Sequence, residues 1–430
     1  MIVARDYLES FRYKKPGNRM ITMTSKKWVG AFIVAFLLLS TATFAKSELW
    51  APLLPAVVNS AFERYPDRAL PTAINHQGQA IRQQASSLLA NNPSLAFRHE
   101  NDDLTDNFGF RDWAGSVQLP LWLPGQRSRR LDVADATDQE AASLTRFYKW
   151  RVSGEVRELL WSYKIADAEV ILARAAVDSA RALETDIDKR VQAGELAVTD
   201  HILARKETLV REITLSTATA NLDELRQQYR MLTGLSEVPK DILEKSVEDT
   251  SLPNQHPTLL AARYRTDRAQ AESNQARHEK RANPILALGA RNERAESGQP
   301  FDTILTLELN LPLGLRSQSA PKIADAERQL AEQQISHASL RRELEKQLVT
   351  AISEKQRTAR TLKLAQQQQQ LATEGLRLTQ RAFDLGESDL FTLLQARTQA
   401  LTSERALQMR QLEQGRAVAR HNQALGVIPE

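Results

Sequence analysis

The chain has 430 residues, of which 42% are apolar, 6% aromatic and 26% charged, and its formal net charge is only +4. The low aromatic content and the abundance of Ala, Leu, Gln, Arg and Glu favour long helices over a compact α/β enzyme, and the small net charge does not indicate a nucleic-acid partner. The absence of cysteine excludes a thiolate zinc site, a disulfide framework and a lipid-modified N-terminal cysteine.

No motif indicates an enzyme or a cofactor site. The chain has no P-loop, no dinucleotide-binding fingerprint and no nucleophile motif. Its seven histidines are scattered, and none forms an HxxxH or HExxH pair that would predict a metal site. We therefore expect no catalytic residue, no cofactor and no bound metal.

The first 45 residues predict an N-terminal extension followed by a secretory signal peptide. Residues 26–45 have a basic start, an apolar run over 28–39 and small residues before a cleavage site after Ala45. The run is shorter than the ~20 apolar residues of a membrane-spanning helix, which favours cleavage over anchoring. The sequence leaves Met1, Met20 and Met23 open as the start, and the exported chain is expected to begin near Lys46.

The first half of the exported chain reads as helices that flank a pair of strands. The predicted elements are a helical region over 48–91 with breaks at Pro66 and Pro71, an extended segment over 94–100, a strand over 112–123, and helices over 128–193 and 198–232. Only Gly154 interrupts the first of these two helices, which would be roughly 95–100 Å long at ~1.5 Å per residue.

The second half repeats this order. Its predicted elements are a helix over 257–281, strands over 284–292 and 301–312, and helices over 320–384 and 389–424. Landmarks recur at nearly constant separation: Pro66 and Pro93 match Pro257 and Pro284 at 191 residues, and Pro120, Gly194, Glu195 and Gly234 match Pro312, Gly386, Glu387 and Gly426 at 192. We therefore predict two duplicated domains, residues 46–239 and 240–430.

Each long helix is predicted to end at a Gly-Glu turn that leads into the next helix. Glycine supplies the positive φ that ends a helix, and an acidic residue just beyond it suits the first turn of the following one. Apolar residues four apart, such as Leu340, Leu344 and Leu348, lie among charged residues and predict packing against neighbouring helices.

The last strand has one apolar and one polar face. Leu305, Leu307, Leu309 and Leu311 alternate with Thr306, Glu308 and Asn310. On an exported chain this pattern fits lipid outside and water inside, although a soluble hairpin with one buried face would show it too. Four strands cannot close a membrane barrel, because the smallest barrels have about eight. Several chains would have to share one barrel, continued by a tube of long helices, which predicts a passive export duct.

The chain resembles a known family at this point. The duplicated plan, the segments LPLWLPGQR (119–127) and LNLPLGLRS (309–317), and the two turns leading into ARxxxL are similar to the outer-membrane efflux factors, or TolC-like family, over residues 48–426. The branch paired with heavy-metal-cation exporters is the most similar. The resemblance implies a mainly α fold with a small β part, in a homotrimer with a twelve-stranded outer-membrane barrel and a twelve-helix periplasmic tunnel. It also implies a Gram-negative-type cell, a periplasmic adaptor and a proton-driven inner-membrane pump as partners.

The resemblance also implies roles for residues at the two turns. The adaptor-docking tip would comprise Gly194, Glu195, Gly386, Glu387 and Asp389, and the pore constriction Asp200, Thr392 and Gln395. Thr392 and Gln395 stand where family members place aspartates, so we expect a less acidic constriction. Phe383 stands where a tyrosine often hydrogen-bonds the neighbouring hairpin, so that bond cannot form in the same way.

Two other classes remain as alternatives. A periplasmic adaptor also carries a long helical hairpin, but usually a single one inserted in β-rich domains. A soluble coiled-coil scaffold would be released from membranes by salt or carbonate, whereas an integral barrel would need detergent.

Overall fold

The structure is a computed structural model that describes residues 52–429. The predicted extension and signal peptide, residues 1–45, lie outside the described residues. The helices are α1 (Leu54–Glu63), α2 (Ala69–Ser86), α3 (Gln126–Gln192), α4 (Val198–Thr233), α5 (Pro257–His278), α6 (Arg316–Asp384) and α7 (Leu390–Ala424). The strands are β1 (Ser94–Asn101), β2 (Arg111–Pro120), β3 (Ile285–Arg294) and β4 (Asp302–Asn310).

The predicted order of helix, strand, strand, long helix and helix is confirmed in both halves. Helix α3 has 67 residues and α6 has 69, so each is roughly 100 Å long at ~1.5 Å per residue. Both run without interruption, as the scarcity of proline and glycine predicts. No helix between residues 52 and 429 combines the length and the apolar character needed to span a membrane.

Two prolines lie inside helices that the sequence prediction broke or shortened. Pro71 was predicted to break a helix, but it lies in the first turn of α2, where backbone N–H groups have no helical partner to lose. Pro321 lies in the second turn of α6, which begins at Arg316 and therefore before the predicted start. The prediction was wrong at both helix starts. The free first turn explains the position of Pro71, whereas Pro321 lies beyond that turn and α6 continues through it.

The helices pack as a row rather than as a closed bundle. In one half of the molecule α3 packs against α4 and α7, and α6 packs against α7, so that α4 and α6 are the outer members of the row. In the other half α2 and α5 flank α3, and α6 packs against α5. Helix α7 meets α5 end to end at Gly426, which has φ +82° and where a Cβ atom would lie 2.7 Å from both His256 and Pro257.

A core cluster joins these helices at the middle of α3, where α4 and α7 approach their C-terminal ends. It contains Val57, Val58 and Ala61 of α1, Val152, Val156, Leu160 and Trp161 of α3, Tyr229 of α4, Ala419 of α7 and Ile242 of the segment that follows α4. Buried Arg157 pairs with both carboxylate oxygens of Glu244 at 2.8 and 2.7 Å and donates to the Val427 carbonyl at 3.0 Å. These contacts fix the connecting segment and the C-terminus to α3.

The four strands form one antiparallel sheet in the order β1-β2-β3-β4. The β2–β3 pairing joins the two halves of the chain, and β1 and β4 are the edge strands of the sheet. A row of four apolar side chains crosses the sheet, because Leu95 lies opposite Val117, Val117 opposite Leu288, and Leu288 opposite Leu307. The register therefore separates an apolar face from a polar one.

Candidate functional site

The two Gly-Glu turns have the same backbone geometry. Gly194 has φ +81° and Gly386 has φ +76°, and each lies two residues beyond the last residue of a long helix. The N–H of Glu195 donates to the Arg190 carbonyl at 2.9 Å, and the N–H of Glu387 donates to the Ala382 carbonyl at 2.8 Å. These are the bonds of a left-handed helix end that glycine adopts without strain. Apart from the adjacent residues, no heavy atom of residues 52–429 lies within 4 Å of a Cβ built at either glycine, so backbone conformation and not crowding requires them.

The two glutamates of the predicted docking tip are exposed. Among residues 52–429, no basic nitrogen lies within 4.0 Å of the carboxylate of Glu195 or Glu387. Their charge is therefore available to a partner, and their docking role stays a prediction.

The helices that follow the turns are capped differently. Asp389 precedes α7 and accepts a hydrogen bond from the Thr392 N–H at 2.8 Å. Hydrogen bonds from the Thr392 hydroxyl and N–H hold the pKa of Asp389 below its usual value. After the Gly194 turn, Asp200 lies inside α4, and its Oδ2 accepts a hydrogen bond from the Ala197 N–H at 3.2 Å. Both carboxylates therefore satisfy N–H groups that a helix start leaves free.

The three predicted constriction residues lie near these helix starts. Asp200 is half-buried, whereas Thr392 and Gln395 are exposed on α7. Their role in a pore stays a prediction.

An apolar cluster brings the two hairpin ends together. It contains Leu183 and Ile187 of α3, Ala204 of α4, Phe383 of α6, and Leu390 and Leu393 of α7. Phe383 is 6% exposed and the Arg190 guanidinium lies 5.3 Å from its ring centre. The Phe383 ring thus packs in this cluster, at the position where the family resemblance would place a hydrogen-bonding tyrosine. This cluster was not predicted from the sequence, because its members come from four helices whose alignment is set by tertiary packing.

The faces of the sheet match the alternation predicted for β4. Leu305 is 85% and Leu307 72% exposed, Leu309 lies on the same face, and Leu311 follows the end of β4. On the other face Asp112 is fully buried between the guanidinium groups of Arg98 at 3.3 Å and Arg291 at 3.0 Å. The sheet therefore exposes a broad apolar face, and its opposite face holds paired charges. Contact of the leucines with lipid stays a prediction.

The two outer helices carry exposed apolar stripes. The α6 stripe comprises Leu364, Leu371 and Leu378 with Leu385 at the helix end, spaced seven residues apart and 65%, 76%, 54% and 67% exposed. The α4 stripe comprises Val198, Ile202, Leu209 and Ile213, which are also exposed. Seven-residue spacing is typical of a seam between packed helices. The spacing is visible in the sequence, although the predicted packing stripe was the one that begins at Leu340.

Comparisons with known proteins agree with this architecture. Residues 251–427 match the family model described as outer membrane efflux protein. Over 224 residues, 48% of this chain, the sequence is 26% identical to the cobalt-zinc-cadmium resistance protein CzcC of Cupriavidus metallidurans. The match spans 52% of that relative, about half its length.

Solved structures share the fold over most of the chain. A membrane protein from Pseudomonas aeruginosa matches with a TM-score of 0.70 at 17% identity, over 87% of this chain and 90% of the other. The outer membrane protein VceC from Vibrio cholerae matches with a TM-score of 0.70 at 14% identity, over 87% of this chain and 96% of the other. Residues 251–427 therefore match the outer membrane efflux protein model, and the chain has the fold of these solved structures over most of its length.

Proposed function

We propose that the chain is the outer-membrane channel of a tripartite efflux system, a passive duct from the periplasm to the cell exterior. The observation that carries this proposal is an open four-stranded sheet, apolar on one face, that continues into helices of roughly 100 Å. The apolar face fits lipid, and the opposite face, with paired charges, fits water.

Closure of the sheet requires further copies of the chain. The backbone groups on the outer sides of β1 and β4 have no strand partner within residues 52–429. In lipid such groups must be paired, so β1 of one copy would pair with β4 of the next. The described part of each copy supplies four strands, and membrane barrels have about eight or more. Three copies, as the family resemblance implies, give twelve strands.

The helices of neighbouring copies would also pack side by side, around the same axis as the strands. The α4 stripe of one copy would pack on the α6 stripe of its neighbour, because these stripes lie on opposite outer members of the row. Full burial of a leucine side chain contributes about 1.5–3 kcal/mol. The stripes therefore favour an assembly in which sheet and helices close around one axis.

The tip would face the partners. Glu195, Glu387 and Asp389 would dock a periplasmic adaptor, and an inner-membrane pump, proton-driven in this proposal, would supply the energy. Thr392 and Gln395 would give the constriction fewer charges than an aspartate ring has. The relative named for cobalt, zinc and cadmium resistance supports metal cations as the exported substrates. The two duplicated domains, 46–239 and 240–430, would each contribute one hairpin to the tunnel.

Membrane fractionation and deletion test this proposal. The protein should stay in the membrane pellet after salt and carbonate washes and enter solution with detergent. Release by either wash would favour a coiled-coil scaffold. Deletion of the chain should sensitise cells to cobalt, zinc or cadmium, and unchanged sensitivity with the partner pump active would contradict the proposal.

A further inference from the structure

A polar cleft of about 400 Å³ lies where the last turns of α4 meet α3 and the loop that follows α4. Four basic residues line it: Lys164 from α3, Arg226 and Arg230 from α4, and Lys240 from the loop. Asp167 and Glu237 are the acidic residues of the lining. The cleft therefore carries an excess of two positive charges and lies outside the tip and the sheet.

Most of these basic groups are not neutralised by neighbours. Among residues 52–429, no carboxylate oxygen lies within 4.0 Å of the side-chain nitrogens of Lys164, Arg230 or Lys240. Arg226 pairs with Asp223 at 2.9 Å, and a hydrogen bond with the Tyr163 hydroxyl raises its pKa further. Three cationic groups from three segments are thus free to meet a ligand.

The walls of the cleft are held in place. Tyr229 is fully buried and donates a hydrogen bond to the Glu237 carbonyl at 2.9 Å, and burial raises the pKa of Tyr229 to about 12. Val238 packs against the core cluster and Pro239 is buried. The loop that carries Lys240 therefore keeps its position, which lowers the entropy lost when a ligand binds.

We infer that this cleft binds a doubly charged oxyanion of the phosphate class. The two arginines and two lysines offer many N–H donors, and phosphate oxygens are the acceptors that such groups bind best. A doubly charged anion would meet the three cationic groups that have no ion pair among residues 52–429, Lys164, Arg230 and Lys240. Free inorganic phosphate and the phosphate of a glycerol ester share this chemistry. The inference does not depend on how many copies assemble, nor on transport.

Calorimetric titration of the full chain in detergent at low ionic strength tests the inference. Inorganic phosphate and glycerol 3-phosphate are titrated separately. We expect one saturable site per chain, with the tighter ligand identifying the source of the phosphate. The double variant Lys164→Gln, Arg230→Gln should bind at least about tenfold more weakly, because it loses two charge-assisted contacts.

A matched variant separates the cleft from general electrostatics. Arg146→Gln with Arg174→Gln removes the same charge from exposed positions of α3 outside the cleft and should leave affinity within about twofold. Lys240→Gln alone should weaken binding even if the double variant does not fold, as judged by circular dichroism. Absence of saturable binding to the native chain, or equal losses in the cleft and control variants, would overturn the inference.

Discussion

Asp200 and Asp389 cap the starts of α4 and α7 from opposite ends of equivalent four-residue segments, 197–200 and 389–392. Ala197 and Asp389 are 192 residues apart, as are Asp200 and Thr392, so the acid has changed places between the repeats. Asp389 lies at the cap position and accepts a hydrogen bond from the N–H of Thr392 in the helix. Asp200 lies in the helix and accepts a hydrogen bond from the N–H of Ala197 at the cap position. Either arrangement satisfies a free N–H group, so the duplication preserved the cap and not the residue.

Removal of the Asp389 cap should loosen the start of α7. In Asp389→Ala the Thr392 N–H loses its acceptor, and we expect its hydrogen exchange to become about fivefold faster. Asp389→Asn, which retains a side-chain oxygen, should stay close to the native rate. Native-rate exchange in Asp389→Ala would show that this bond does not hold the helix start.

Charge reversal at the tip should weaken adaptor docking. Glu195→Lys with Glu387→Lys inverts two exposed charges without removing any ion pair among residues 52–429. We expect less crosslinking to the adaptor and unchanged membrane insertion. Glu345→Lys on α6, also exposed, serves as the control. Unaltered crosslinking in the double variant would contradict the docking role of the turns.

Loss of the Phe383 ring should separate the two hairpin ends. Phe383→Ala leaves a cavity in the cluster around Ile187 and Leu393, which costs about 3–5 kcal/mol. Spin labels on cysteines introduced at exposed Ala193 and Leu385 should report a longer and broader distance distribution. The native chain has no cysteine, so the labels attach only there. Phe383→Leu should give a smaller change, and a native distribution in Phe383→Ala would contradict this role of the ring.

His256 should make stability depend on mildly acidic pH. Burial lowers its pKa to about 4, whereas an unfolded histidine has a pKa near 6.5. Between these values the unfolded chain binds a proton that the folded chain does not. The free energy of unfolding should therefore fall as pH decreases from about 6.5 to about 4, by on the order of 3 kcal/mol.

A substitution isolates this contribution. His256 accepts a hydrogen bond from the Thr258 N–H at the start of α5, and Asn can accept the same bond without titrating. As pH decreases over this range, the melting temperature of His256→Asn should fall less than that of the native chain. Equal pH dependence in the two proteins would show that His256 is not the titrating group.

The sequence predicted what local rules control. Long stretches with little or no proline predicted α3 and α6, and the Gly-Glu pairs predicted turns at Gly194 and Gly386. The alternation in β4 gave its two faces. These features depend on residues that are neighbours along one strand or helix, so the pattern shows them directly.

Features that combine distant segments could not be predicted in the same way. The Ile187–Phe383 cluster requires the relative alignment of α3 and α6, and the basic cleft joins Lys164 to Lys240 through the packing of a loop. The error at Pro71 has a different origin, because the rule that proline breaks a helix does not hold in the first turn.

The α6 stripe should be required for assembly. Leu371→Glu with Leu378→Glu places two charges where the α4 stripe of a neighbouring copy would pack, and a charge buried without a partner is costly. We expect smaller particles in detergent. Gln366→Glu with Thr373→Glu adds the same charge on another exposed face of α6 and should leave assembly intact. Intact assembly in the leucine variant would contradict the proposed seam.

The molar mass of the purified native chain in mild detergent, measured by light scattering with the detergent mass subtracted, tests the shared barrel most directly. Because residues 52–429 of one chain supply only four strands with two unpaired edges, we predict the mass of three chains. The mass of a single chain would contradict the account, since one copy has no closed passage through which a substrate could leave.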